Sequence, residues 1–282
     1  MNPVIRVWVN GALYDSETPA ISATDHGVTV GDGIFETCKI ERGQPFALSR
    51  HLQRLLRSAA GLGLPDIDIA VIEAGIRAVL ADGDPIDFGR LRFTVTAGSG
   101  PLGSDRYAAP LTYVVTAAPQ ARPVGAGILC VTPWTRNERS AVAGLKTTSY
   151  AENVVALAFA RERGASEAIF ANTRGELCEG TASNLFVVVG GTLHTPPLSS
   201  GCLAGITREL TIQWCREAGL EVVEDAMPLG VLRTCEEVFI TSSLRDIYPI
   251  ERIDEHRLTA PGPVTEKAAL IFAERAGAAV DP

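Results

Sequence analysis

The sequence predicts two α+β domains, and three observations carry that expectation. The stretch Thr116–Gly127, TAAPQARPVGAG, is rich in Pro, Gly and Ala and reads as a linker between two halves. Strand-like and helix-like segments interleave on both sides of it without the regular alternation of a doubly wound sheet. A chain of 282 residues, 46% hydrophobic, is long enough for two domains of about 120–160 residues, each with its own core. The expected division is a small N-terminal domain over 1–116, a linker over 117–127 and a larger domain over 128–282. The crease between two such domains is the default place for a ligand.

The elements follow in order. VIRVWVNG alternates as a strand running into a turn, and GIFETCKIERGQPF reads as a hairpin with Arg42 and Gly43 at its turn. Ser49 is placed to cap RHLQRLLRSAAGLG, whose Leu52, Leu55, Leu56, Ala59 and Leu62 form one apolar stripe. AVIEAGIRAVLADG predicts a second helix, and RLRFTVTAG and LTYVVTAA two further strands. Beyond the linker, GILCVTPW, EAIFANT, NLFVVVGG and EVFITSS predict strands. AENVVALAFARERG, ITRELTIQWCREAG and TEKAALIFAERAG predict helices, two or three of them ending at a glycine suited to a C-cap.

Composition excludes several classes. Thirty-three acids against 25 bases leave a net charge of −8, which argues against a polyanion surface and hence a nucleic-acid partner. Of those bases only Lys39, Lys146 and Lys267 are lysine. Six cysteines (Cys38, Cys130, Cys178, Cys202, Cys215, Cys235) are scattered, with no CxxC pair and no nearby histidine, so neither disulfides nor a zinc site is expected. The start MNPVIRVWVNG lacks the pattern of a signal peptide. The longest apolar run, VVALAFA from Val154 to Ala160, is far short of a membrane span. A cytoplasmic protein with no membrane partner is expected.

Most familiar catalytic patterns fail. GDG at Gly31–Gly33 and AGSGPLG at Ala97–Gly103 read as tight turns rather than nucleotide loops, and no HExxH, GxSxG or paired-Asp metal motif occurs, so no metal is expected. His26, His51, His194 and His256 stand apart from one another, and each alone reads as a surface or satisfied residue. Lys146, in AVAGLKTTSYAEN, has no acid within five residues on either side. A nucleophilic lysine must lose its proton, which desolvation and the absence of an ion-pair partner favour. Lys39, beside Glu36 and Glu41, and Lys267, beside Glu266, read as ordinary solvated charges.

RGELCEGTASNLFVV adds Glu179, read at a turn between strands. A lysine, a buried carboxylate and several anion donors are what pyridoxal phosphate requires: an amine for its aldehyde, an acid for its ring nitrogen and donors for its phosphate. GCLAGITREL would put Gly205, Ile206 and Thr207 at a helix N-terminus suited to an anion. Thr241, Ser242 and Ser243 end a strand, and Arg54 projects from the first helix.

Through DHGVTVGDGIFET, RHLQRLLRSA, LKTTSYAEN, ELCEGTASNLF, GITRE and FITSSLRDIYPI, from Asp25 to Ile250, the chain resembles the fold-type IV (class IV) pyridoxal-phosphate aminotransferases. That family includes branched-chain and D-amino acid aminotransferases and aminodeoxychorismate lyases. The resemblance implies a small N-terminal α/β domain, a larger C-terminal domain with a β-barrel-like core, pyridoxal 5′-phosphate as cofactor, and a homodimer. It makes Lys146 the Schiff-base lysine and proton carrier, and Glu179 the acid at the pyridine nitrogen. Arg54, in the H-x-x-R-L pattern that starts at His51, becomes the phosphate arginine. Ile206 and Thr207 match the backbone phosphate cup, Thr241 and Ser242 the second phosphate turn, and Leu203 the leucine that packs on the ring. Tyr150 resembles a tyrosine near the cofactor phenol oxygen but sits one residue early.

For the substrate, the carboxylate trap implied for D-specific members is missing: Phe35 and Ala97 occupy its positions, and no histidine is near. Arg92 falls where branched-chain members carry an arginine, and alternation puts Arg90, Arg92 and Thr94 on one strand face. Thr37 matches a threonine of the lyases. The expected activity is transamination between an amino acid, apolar or branched-chain side chains favoured, and a 2-oxo acid such as 2-oxoglutarate or pyruvate. The alternatives are 4-amino-4-deoxychorismate lyase, or a D-amino acid transaminase with a non-typical carboxylate site.

Overall fold

Residues 4–282 are described by a computed structural model; the first three residues of the MNPVIRVWVNG start lie outside the described residues. The architecture is mixed α and β with a curled half-barrel sheet. Two units divide the chain. Unit 1 takes the residues up to Arg122 together with Leu145–Tyr150 and Val280–Pro282, and unit 2 takes Pro123–Gly144 and Ala151–Ala279.

Unit 1 contains β1 (Arg6–Val9), β2 (Ala12–Tyr14), α1 (His26–Thr29), β3 (Gly33–Glu41), β4 (Gln44–Pro45), α2 (Leu48–Leu62), α3 (Ile69–Ala81), β5 (Phe88–Thr96) and β6 (Thr112–Pro119). Its strands form one antiparallel sheet in the order β2-β1-β6-β5-β3-β4. Alternation assigns the faces. Ile34, Cys38 and Ile40 of β3 and Leu91, Phe93 and Val95 of β5 join Leu52, Leu55 and Ala59 of α2 and Ile72, Ile76 and Val79 of α3 in one core. Phe35, Thr37, Arg90, Arg92 and Thr94 therefore point to the opposite face.

Unit 2 contains β7 (Gly127–Arg136), α4 (Ala151–Glu162), β8 (Glu167–Asn172), β9 (Leu177–Gly180), β10 (Asn184–Val189), β11 (Thr192–Thr195), α5 (Ile206–Glu217), β12 (Val222–Glu224), β13 (Glu237–Ser242), β14 (Asp246–Ile253), β15 (His256–Arg257) and α6 (Pro263–Ala278). Its nine-stranded sheet runs β12-β11-β10-β13-β14-β7-β8-β9, with β15 on β14. Buried Leu129, Ile169, Leu185, Val187, Ile240 and Ile250 form its core.

Several expectations need correction. The segment expected as linker over 117–127 is shorter, because β6 stays paired with β5 through Pro119 and β7 begins at Gly127. Ser49 is not the cap of α2: Ala47 holds that position with φ 54°, and Ser49 lies within the helix. Glu179 lies on β9 rather than in a turn, because it pairs with Phe170. Lys39 is buried, with its amine 4.5 Å from the centroid of Phe46, because its strand face is covered. β2, β9, β11, β12, β14 and β15, and the short helix α1, lie outside the elements that the sequence patterns predict. In β14, Pro249 hides the pattern, yet it is accommodated because pairing with β7 begins only at Ile250, next to a bulge.

Candidate active site

In unit 1, Lys146 lies on a short segment bonded alongside the start of β3. The Phe35 N–H donates to Lys146 O at 3.0 Å, and the Thr148 N–H to Gly33 O at 2.8 Å. The Thr148 and Ser149 hydroxyls donate to Gly31 O at 2.8 and 3.1 Å, and the Lys146 N–H to Ser58 Oγ of α2 at 3.2 Å. Gly31 has φ +69°, and a Cβ there would meet Ser149 Oγ at 2.7 Å, so glycine is required at this approach. These bonds account for residues 145–150 belonging to unit 1.

The side chain of Lys146 puts Nζ 4.5 Å from the Phe35 ring centroid and 5.7 Å from that of Tyr150. Arg92 Cζ lies 3.7 Å from the same Phe35 centroid, and Tyr150 meets Phe35 edge-on at 5.2 Å. Thr37 pairs directly with Arg92 across β3 and β5. Burial pushes the Arg92 guanidinium below its ordinary pKa, and the neighbouring charge of Arg90 acts the same way. An amine and a guanidinium thus share one aromatic wall.

Arg54 lies on the other face of the same sheet, in a group that the sequence reading did not see. Its Nε and Nη2 donate to Glu36 Oε1 and Oε2 at 2.8 and 2.6 Å, and His51 Nδ1 lies 2.7 Å from Glu36 Oε2. All three residues are buried. Burial would raise the Glu36 pKa, but Arg54 and His51 outweigh it and bring it to about 2. For Arg54 burial acts downward and Glu36 upward, with a net rise; for His51 burial wins and the pKa falls below 6.5. Neutral His51 then serves as a donor to Glu36. The spacing of His51 and Arg54, three apart on one helix face, was the available signal, together with Glu36 one residue after Phe35.

In unit 2, Glu179 is held at both oxygens. Oε2 accepts the Leu203 N–H at 2.9 Å, and Oε1 lies 3.5 Å from Arg136 Nε. Arg136 also stacks over Phe170 at 4.3 Å and donates to Asn153 Oδ1 at 3.2 Å. The Asn184 amide donates to Leu203 O at 2.8 Å, and Asn184 pairs with Thr241 across β10 and β13. Asn184 also accounts for Gly205, where a Cβ would lie 1.9 Å from Asn184 Oδ1. Gly205 is the N-cap of α5 and supplies no side-chain bond, and Ile206 and Thr207 begin the helix, both buried. Thr241 Oγ1 is buried without a hydrogen-bond partner. Ser242 Oγ accepts from Arg245 Nε at 3.1 Å, and Arg245 pairs with buried Glu167.

Glu179, Leu203, Ile206, Thr207 and Thr241 are thus linked within unit 2, with Ser242 next to Thr241. Lys146, Phe35, Thr37 and Arg92 are gathered in unit 1. The roles of Glu36, Arg136, Asn184 and Arg245 are not visible in the sequence because each depends on at least one partner distant along the chain. Among the described residues, no group of three or more His, Cys, Asp or Glu is arranged to hold a metal ion.

The model of the family Amino-transferase class IV matches residues 33–253. A putative branched-chain-amino-acid aminotransferase of Methanocaldococcus jannaschii is 34% identical over 257 residues, covering 89% of this chain and 88% of its own. A D-alanine aminotransferase of Bacillus licheniformis is 33% identical over 276 residues, covering 93% and 94%. An aminodeoxychorismate lyase of Bacillus subtilis is 30% identical over 264 residues, covering 88% and 87%. Among solved structures, the branched-chain aminotransferase of Thermoproteus uzoniensis with norvaline superposes with TM-score 0.88 at 30% identity, covering 96% of this chain and 94% of its own. A hypothetical aminotransferase of Mycobacterium tuberculosis in its PLP-bound form superposes with TM-score 0.81 at 25% identity, covering 95% and 97%. The fold is accordingly that of the fold-type IV aminotransferases. With the match spanning Phe35, Lys146, Glu179 and Thr241 alike, the chain belongs to the class IV aminotransferases, a family of enzymes.

Proposed function

We propose that the chain is a pyridoxal-phosphate-dependent transaminase. It would move an amino group between an amino acid with an apolar or branched side chain and a 2-oxo acid such as 2-oxoglutarate or pyruvate. One observation carries this reading: Lys146 Nζ and Arg92 Cζ stand 4.5 and 3.7 Å from the centroid of the same Phe35 ring. Arg92 can receive a carboxylate through a charge-assisted contact, and Lys146, against the same ring, supplies an amine that can exchange a proton. Phe35 and Tyr150 form an apolar wall there, which suits an apolar side chain.

The residues of unit 2 fit the cofactor on three grounds. Thr241 Oγ1 is a buried hydroxyl with no partner, α5 opens with no side-chain cap, and Glu179 is fixed by the Leu203 N–H. When bound, the group supplies an aldehyde and an electron-accepting ring. Lys146 would hold it and move a proton at Nζ. Glu179, with Arg136 beside it, would keep a proton on the ring nitrogen, and Leu203 would lie against the ring. The N–H groups of Ile206 and Thr207, the hydroxyls of Thr241 and Ser242, and Arg54 would be the donors to phosphate. A cytoplasmic homodimer accompanies this reading. No helix among the described residues is long and apolar enough to cross a membrane.

The test is a half-reaction screen on the cofactor-loaded protein, one amino donor at a time. Leucine or another apolar amino acid should convert the cofactor absorbance, and only a 2-oxo acid should restore it. Failure of every donor would overturn the proposal. A second reading, aminodeoxychorismate lyase, is favoured by Thr37 directly opposite Arg92 in register. Repeated turnover of aminodeoxychorismate to p-aminobenzoate with no keto acid present would establish it instead.

A further inference from the structure

Helix α2 carries His51 and Arg54 towards its start and Ser58, the acceptor of the Lys146 N–H, further along. The start of this helix is not completed by its own sequence, and its other end only in part: the left-handed Gly63 turns its N–H back to Ala59 and Ala60 O, which leaves the Leu62 and Gly63 carbonyls to be met from elsewhere. At the start, Ala47 is in the left-handed region and offers no side-chain acceptor, and the first turn has no acid. The missing partners come from the last three residues, Val280–Pro282. The Ser49 N–H donates to Asp281 Oδ1 at 3.0 Å, and the Ser49 hydroxyl donates to Asp281 Oδ2. The Ala47 N–H donates to Val280 O at 2.8 Å, and Arg50 Nε to Pro282 O at 2.8 Å. These bonds hold Ala47 in a conformation that an alanine seldom adopts.

At the other end, the last turn has no basic residue of its own. Arg106, from the loop after β5, supplies one. Its Nη1 donates to Gly63 O at 2.6 Å and its Nη2 to Leu62 O at 3.0 Å, while Nε donates to Asp32 Oδ2 at 2.6 Å. Burial would raise the Asp32 pKa, but Arg106 and His26 hold it below the usual carboxylate range. An anion thus meets the positive end of α2 and a cation the negative end, each satisfying backbone groups that a helix leaves open. Glu36 fixes the Arg54 guanidinium sideways against β3, and the two end contacts fix the helix along its axis.

We propose that Asp281 and Arg106 are positioning residues for Arg54: acting on the two ends of α2, they hold that helix where Arg54 takes the phosphate of the cofactor. The inference rests on the role given to Arg54 above. The experiment compares the affinity of the cofactor-free full chain for pyridoxal phosphate and for pyridoxal, which lacks the phosphate. Asp281→Ala and Arg106→Leu should each weaken pyridoxal phosphate about three- to tenfold, the range of a lost cap or charge–dipole contact. Binding of pyridoxal should stay within about twofold of wild type. Fifteen residues at about 1.5 Å each separate the two ends, so the double variant should lose roughly the product of the single effects.

Unchanged affinity ratios in all three variants, with only the melting temperature lowered, would overturn the inference. If in that case Arg54→Leu alone still abolished the preference for pyridoxal phosphate, the role of Arg54 would stand and only the positioning claim would fall. A wild-type chain with no preference for the phosphate form would remove both. Should either variant fail to fold, Asp281→Asn and Arg106→Lys keep part of each contact, and they should give the same direction with a smaller loss.

Discussion

Glu36 and Arg54 meet as a bidentate pair, Nε to Oε1 at 2.8 Å and Nη2 to Oε2 at 2.6 Å, with both side chains buried. Removing one charge from such a pair strands the other. Glu36→Gln should therefore destabilise the fold by about 3–5 kcal/mol, measured by denaturant unfolding. The double variant Glu36→Gln, Arg54→Met should recover part of that loss. A Glu36→Gln chain as stable as wild type would show that the pair carries no such weight.

Acid should act through His51. Its folded pKa lies below 6.5, so below that pH the unfolded chain binds a proton that the folded chain refuses. This contribution is complete above about pH 6.5 and is lost as the pH falls, at up to about 1.4 kcal/mol per unit. Glu36, depressed to about 2, adds a second loss between its unfolded value of 4.5 and that point. His51→Gln should flatten the first decline when stability is measured at pH 7 and pH 5; equal slopes in both proteins would count against it.

Borohydride reduction of the cofactor-loaded chain, followed by peptide mass mapping, should label Lys146. Lys146→Ala should abolish the label. Lys39 is buried against Phe46 and Lys267 lies exposed on α6, so a label on either would sink the assignment.

Arg92→Leu should raise the KM for 2-oxoglutarate more than for a monocarboxylic 2-oxo acid. The lost contact is charge-assisted and worth about 1.5–3 kcal/mol, roughly ten- to hundredfold. Equal increases for both acceptors would mean that Arg92 meets only the carboxylate they share.

The sequence was legible wherever a short stretch carries its own pattern. β3, α2, β5 and α5 follow from alternation or from helical patterning, and Lys146 stands out as a candidate by its lack of nearby acids, its role being implied only by the family resemblance. What stayed hidden depends on pairing at long range. Glu36 looked like a solvated neighbour of Lys39 until α2 brought His51 and Arg54 over it. Arg136 lies just beyond the predicted strand GILCVTPW, and only the fold sets it beside Glu179. Ser49 carries a typical capping hydroxyl, but the left-handed Ala47 moved the helix start ahead of it. β14 was lost to Pro249, whose tolerance depends on a bulge that no local pattern announces.

The burial of Lys39 and the half-burial of Lys146 leave Lys267 as the one exposed side-chain amine among the described residues. Among side-chain amines, amine-reactive tethers and dyes should therefore attach on α6, which orients the chain on a carrier and leaves the Lys146 segment unmodified.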